Sequence, residues 1–196
     1  MGVVLLLNRD EDPLLPALRV MAALLGEPPP EPAPDLPVGL HAAADGPAWT
    51  EIHPGSIEFM GARETLLASG SRVRSIPSTL EMDLSVTAGA IEGTFGGVAR
   101  QLHRVPDGLA LDPALAGTWR EEVFGVELTI SGDGMARWPW MGSLGQEVAL
   151  TPLPGGRALA DLPHLMWRHR PCIWLDAEGS LQVASHRARV LRFRRV

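Results

Sequence analysis

The side chains best suited to chemistry crowd into one segment, Asp161-Leu-Pro-His-Leu-Met-Trp-Arg-His-Arg-Pro171, which holds Asp161, His164, Trp167, Arg168, His169 and Arg170. Two histidines, with Cys172 just beyond them, raise the question of zinc. Their spacings of five and three residues match no established Cys/His ligand pattern and offer no fourth ligand, so no metal and no other cofactor is expected. Cys172 is the only cysteine, and a lone cysteine of this kind reads as a small buried apolar residue. Ser, His and Asp are all present, yet no Gly-x-Ser-x-Gly elbow occurs, and nothing pairs a particular serine with a particular histidine. Glu81, Asp83 and Glu92 alternate with apolar residues, which marks solvated strand faces rather than a paired-carboxylate site. No catalytic residue is expected within this chain.

The elements that must carry that segment are short and alternating. Ser56-Ile-Glu-Phe59, Leu80-Glu-Met-Asp-Leu-Ser-Val86 and Phe124-Gly-Val-Glu-Leu-Thr-Ile130 each have one apolar and one polar face, as half-buried antiparallel strands require. Turn signals separate them at Asp45-Gly-Pro47, Pro54-Gly55, Ser69-Gly70, Ala88-Gly89, Gly132-Asp-Gly134, Pro154-Gly-Gly156 and Glu178-Gly179. Many short strands at regular spacing predict a barrel or sandwich. A weak internal repeat favours two of them. Gly39 to Ile52 and Gly117 to Ile130 have equal length, Ile57 matches Met135 at the same offset, and Met60-Gly61 matches Met141-Gly142 after an insertion. Both halves also end alike, in Arg100-Gln-Leu-His-Arg-Val105 and Leu191-Arg-Phe-Arg-Arg-Val196. The expected domains are residues 38–105 and 117–196, with 106–116 as the link. Residues 27–37, rich in proline, read as a semi-rigid spacer in polyproline II geometry.

Ahead of the spacer stands a different pattern. Within Gly2-Val-Val-Leu-Leu-Leu-Asn-Arg-Asp10, the run Val3 to Leu7 reads as a strand apolar on both faces, which Asn8-Arg-Asp10 breaks. Leu14, Leu15, Leu18, Met21, Ala22 and Leu25 then recur at helical spacing up to Gly26. A strand of that kind needs neighbours and covering layers. This strand and helix resemble the last strand and C-terminal helix of the serine β-lactamase/penicillin-binding-protein superfamily, and the rest of the chain resembles the region C-terminal to that domain in D-aminopeptidases.

The resemblance implies a mainly β fold: two antiparallel lipocalin-like barrels preceded by a strand-helix remnant (residues 1–26) of an α/β hydrolase domain. It further implies a role in covering the catalytic domain, on the same or a separate chain, in helping it form a homodimer, and in shaping substrate access. The parent activity would be release of an N-terminal D-amino acid through an acyl-enzyme. In such proteins a loop of the second barrel enters the catalytic pocket; residues 161 to 171 are the candidate, with Trp138-Pro-Trp-Met-Gly142 as the competing choice. The superfamily's Ser-x-x-Lys nucleophile needs a lysine, and this chain has none: all 17 cationic residues are arginine, and tyrosine is also absent. Arginine stays protonated and cannot serve as the base. The chain is therefore not expected to be an enzyme by itself. The alternative reading is a stand-alone lipocalin-like protein binding a small ligand.

Composition fits these expectations. With 196 residues, 45% hydrophobic and 20% charged, there is chain enough for one or two small domains with cores. The net charge of -6 argues against a nucleic-acid partner. Five arginines, Arg187, Arg189, Arg192, Arg194 and Arg195, fall in the last ten residues. Their alternation with Val190, Leu191 and Phe193 suits a strand with one polar face, paired with acidic residues. The apolar run at the N-terminus is too short for a signal peptide or membrane span, so no membrane partner is expected and a cytoplasmic location is the default.

Overall fold

The structure is a computed structural model that describes residues 14–76, 80–139, 145–162, 170–184 and 190–196. Among them are one α-helix, α1 (Leu14–Leu25), and sixteen strands. The first eight strands are β1 (Gly39–Ala42), β2 (Trp49–His53), β3 (Ser56–Phe59), β4 (Ala62–Ser69), β5 (Arg72–Ile76), β6 (Met82–Val86), β7 (Ala90–Phe95) and β8 (Val98–Arg104). The second eight are β9 (Gly117–Glu121), β10 (Glu127–Ile130), β11 (Met135–Trp138), β12 (Gln146–Leu153), β13 (Arg157–Ala160), β14 (Cys172–Leu175), β15 (Leu181–Ala184) and β16 (Leu191–Arg195). Each set closes into an antiparallel barrel in which sequence neighbours are sheet neighbours, β16 returning to β9 through Phe193 opposite Glu121. Closure removes exposed strand edges, which is the liability of an open sheet. The chain is mainly β, as its alternation predicts.

Contacts divide the chain into two units. One comprises residues up to His41 together with Thr50–Arg104; the other comprises Ala42–Trp49 and Val105–Val196. In the first barrel the inward positions carry Ile52, Ile57, Leu66, Met82, Leu84, Ile91 and Leu102, all essentially inaccessible to solvent. In the second, Trp119, Leu128, Ile130, Ala136, Val148, Ala158, Ile173, Leu181, Val183 and Phe193 form one continuous cluster. Large side chains thus occupy both interiors, as the size of an eight-stranded barrel permits.

The internal repeat is realised as a shared way of starting and ending a barrel. Gly39 and Gly117 open β1 and β9 at φ of +137° and +143°, a region that side chains other than hydrogen rarely enter. Each lies under an arginine from the last strand of its barrel. A Cβ on Gly39 would overlap the Arg104 guanidinium, and one on Gly117 would come within 2.8 Å of Arg195 Nη1. Arg104 donates to the Val38 carbonyl. Arg195 donates to the Ala116 carbonyl at 3.0 Å and to the Ala114 carbonyl at 2.8 Å, and its guanidinium carbon stands 4.5 Å over the Trp119 ring.

Two local expectations change. The proline-rich spacer is tied down along part of its length: the Ala33 amide donates to the Leu66 carbonyl at 3.1 Å and the Ala68 amide to the Glu31 carbonyl at 3.0 Å. The reason is length. β4 has eight residues and β3 only four, so the far half of that β4 edge is open to a further strand, and Glu31 to Ala33 pair with it. The predicted strand beginning at Phe124 starts instead at Glu127. Glu121 Oε2 accepts from the Val123 and Phe124 amides and Gly125 takes φ +65°, so Val123 to Val126 form a turn that exposes Phe124.

Helix α1 ends where expected, at Gly26 with φ +70°, with the Glu27 amide donating to the Ala22 carbonyl at 2.9 Å. Only Ala22 of its residues is buried, and Val20, Met21, Leu24 and Leu25 are exposed. The predicted strand over Val3 to Leu7 lies outside the described residues.

Candidate functional site

Of the candidate loop, Asp161 and Arg170 are described, whereas His164, Trp167, Arg168 and His169 lie outside the described residues, as do Trp140, Met141 and Gly142 of the competing segment. Both ends of the loop grow out of barrel strands. The Asp161 amide donates to the Ala149 carbonyl at 3.2 Å, and the Ala160 amide donates to the Pro171 carbonyl at 3.0 Å. Residues 161 and 171 are thereby fixed at the mouth between β13 and β14, so the eleven-residue segment leaves and re-enters the sheet at neighbouring points.

At the start of β13, Arg157 is used as a carbonyl clamp. Arg157, almost wholly buried, donates Nε to Pro154 at 2.8 Å, Nη1 to Gly46 at 2.5 Å and Nη2 to Ala43 at 2.6 Å, all through backbone oxygens. Arg170 is equally buried and places its guanidinium carbon 4.9 Å over the Trp49 ring. A guanidinium can satisfy several carbonyls in a fixed plane at once, which lysine cannot. Arg157 is therefore a positioning group for the 42–49 segment. Cys172, next to the loop, is fully buried, and burial pushes its thiol up to about 12 despite the opposing field of Arg157. A thiol held protonated is neither nucleophile nor metal ligand, as its expected role as a buried apolar residue requires.

Glu64 of the first barrel is buried and accepts from the Leu80 amide at 2.8 Å; other acidic residues there fall into two groups. Asp83 accepts from Arg72 Nε at 2.5 Å and lies 3.3 Å from Arg74, and the Arg72 hydrogen bond holds its carboxyl below the usual carboxylate range. Glu92 accepts from Gln101 at 2.6 Å. These are solvated faces. The second group, Glu51, His53 and Glu58 on the β2-β3 hairpin, is different: one potential ligand atom from each lies within 4.8 Å of the others, and Glu58 is buried. Sequence reasoning passed over these three. The available signal was the spacing Glu51-x-His53 and then, across the Pro54-Gly55 turn, Glu58, which places all three on one face of a hairpin.

Of the described terminal arginines, two pair with acids as expected, Arg192 lying 3.2 Å from Asp176 and 3.3 Å from Glu178 and Arg194 pairing with Glu122, whereas Arg195 donates instead to the Ala114 and Ala116 carbonyls. Arg187 and Arg189 lie outside the described residues. No described helix is long and apolar enough to cross a membrane. No family model matches the chain, and a search of curated proteins finds no match either.

Proposed function

We propose that this chain is the non-catalytic barrel region of a D-aminopeptidase-like serine hydrolase, in which two lipocalin-like barrels cover a catalytic domain and a loop of the second shapes substrate access. The observation that carries the reading is the tandem of closed eight-stranded barrels, each with an interior occupied by large apolar side chains. Such a barrel presents its outer surface and its loops, not a lumen, to other molecules. The exposure of Val20, Leu24 and Leu25 on α1 agrees, because an apolar helix with one buried residue has surface left for a neighbouring layer.

In this reading the loop from 161 to 171 is the gating element, anchored at Asp161 and Arg170 and carrying His164, Trp167, Arg168 and His169 toward the substrate. The catalytic serine, its lysine and the acyl-enzyme belong to the catalytic domain, since the chain has no lysine or tyrosine. A stand-alone carrier of a small apolar ligand would need a lumen, and the filled interiors weigh against it.

The test is chromophore release from a D-alanine anilide by this chain alone and by a version extended upstream through the adjoining coding sequence. Activity confined to the extended chain is the expected result. Turnover by the short chain would overturn the argument from the missing lysine, and inactivity of both would remove the hydrolase assignment.

A further inference from the structure

The β2-β3 hairpin carries an arrangement that a barrel scaffold does not require. Its inward face holds Thr50, Ile52, Ile57 and Phe59, and its outward face holds Glu51, His53, Ser56 and Glu58. Glu51 stands directly opposite Glu58, and His53 directly opposite Ser56. Two carboxylates facing each other across antiparallel strands repel at close range. Water cannot relieve the repulsion fully, because the Glu58 side chain is only 9% exposed.

Among the described residues, neighbouring groups leave two of the polar atoms here unsatisfied. Glu58 Oε1 is enclosed and has no hydrogen-bond donor among the described residues. His53 Nε2 is likewise enclosed and without a hydrogen-bond partner among them; it lies 3.7 Å from Glu58 Oε2, beyond hydrogen-bonding range. Arg63 sits across from Glu58 on β4, yet its Nε is turned to Ser56 Oγ, to which it donates at 3.2 Å. Glu58 Oε1 and His53 Nε2 are both enclosed without a hydrogen-bond partner among the described residues, they belong to side chains whose ligand atoms cluster within 4.8 Å, and such burial is costly unless a bound group satisfies it.

We propose that Glu51, His53 and Glu58 form a binding site for a divalent transition-metal ion, with zinc as the best match. The donor set is one imidazole nitrogen and two carboxylates, which suits zinc and disfavours calcium and magnesium, whose sites are built from oxygen. Around a tetrahedral zinc with bonds of about 2.0–2.1 Å, ligand atoms stand roughly 3.4 Å apart. The His53–Glu58 separation is already close to that, and the 4.8 Å limit on the rest is closed by small side-chain rotations. The two carboxylates balance the ion's charge, and a fourth position is left for water. The site belongs to the first barrel alone and is independent of any hydrolase role.

The experiment is calorimetric titration of zinc chloride into the chelator-stripped full chain, with cobalt absorption as a report of coordination by nitrogen and oxygen. The same titration is run on His53→Ala, Glu58→Gln and a control, His103→Ala. Glu58→Gln keeps the side-chain volume while removing the buried charge, so it should fold in the absence of metal, which circular dichroism verifies. The expected result is a single equivalent bound by the parent chain, an affinity loss of about tenfold or more in both His53→Ala and Glu58→Gln, and no loss in the control. Absence of stoichiometric binding, or a smaller loss in either hairpin variant, overturns the proposal, since metal would then be absent or held elsewhere.

Discussion

The two barrels begin and end with the same device but differ in what lies beneath the arginine. In the second, the residue two positions after the opening glycine is Trp119, fully buried, with Nε1 donating to the Leu115 carbonyl at 2.9 Å and Arg195 stacked over its ring. In the first, the equivalent residue is His41, also fully buried. Its Nδ1 donates to the Gly39 carbonyl at 3.1 Å, but its Nε2 has no partner among the described residues. Tryptophan brings a large apolar ring and a single donor that is satisfied. Histidine brings less apolar area and a second nitrogen that is left buried. One backbone solution therefore supports a well-satisfied closure in one barrel and a compromised one in the other, and the difference should be measurable as stability and as pH dependence.

The largest effect should come from Trp119→Ala, which leaves a cavity and removes the hydrogen bond to Leu115. A loss of about 3–5 kcal/mol is expected by chemical denaturation, at the level of large aromatic truncations in cores. His41→Ala should cost clearly less, and equal losses would break the comparison. Next in size are Gly39→Ala and Gly117→Ala. Each puts a Cβ into positive φ and against an arginine, at a cost of about 1–3 kcal/mol, so both barrels should respond alike if the glycine-arginine device is shared.

A smaller effect separates the barrels by pH. Burial lowers the His41 pKa below 6.5, helped by the Arg104 charge and opposed by its bond to Gly39. The unfolded chain therefore binds the proton first as pH falls. Stability of the first barrel should decline as pH drops below 6.5 and level off only beneath the lowered native value. Comparison of unfolding midpoints at neutral and mildly acidic pH, with His41→Gln as reference, checks this; an unchanged pH slope in His41→Gln would assign the dependence to other groups. The smallest expected change is Glu127→Gln, which breaks the exposed pair with Arg120 on the outer face of the second barrel. About 0.5 kcal/mol or less is expected, and a larger loss would show that the outer ion pairs, not the closure, hold that barrel.

Much of the fold was legible because alternation and turn glycines are local signals. Ser56 to Phe59 forms a strand as read, the helix ends at Gly26, and the offset between Gly39 and Gly117 aligns β1 with β9. The Phe124 turn was not legible, since it depends on the Glu121 carboxylate capping amides that its own sequence would place in a strand. The pairing of Glu31 to Ala33 with β4 depends on the unequal lengths of two other strands, which composition does not encode. The site on the hairpin was missed for a related reason: an outward-facing glutamate reads as solvated, and Glu58 is not.

By itself, the sequence determined the chemistry that is available: arginine without lysine or tyrosine, one cysteine, two repeats of short half-apolar strands. Those are properties of residue type and spacing, which survive any arrangement of the chain. Tertiary structure alone decided which polar atoms lose water. It put Arg157 and Cys172 inside, stacked Arg195 on Trp119, and left Glu58 Oε1 and His53 Nε2 enclosed without hydrogen-bond partners among the described residues. Burial and pairing arise between residues distant in sequence or across a sheet, and the energy of a charged group depends on them far more than on its neighbours along the chain.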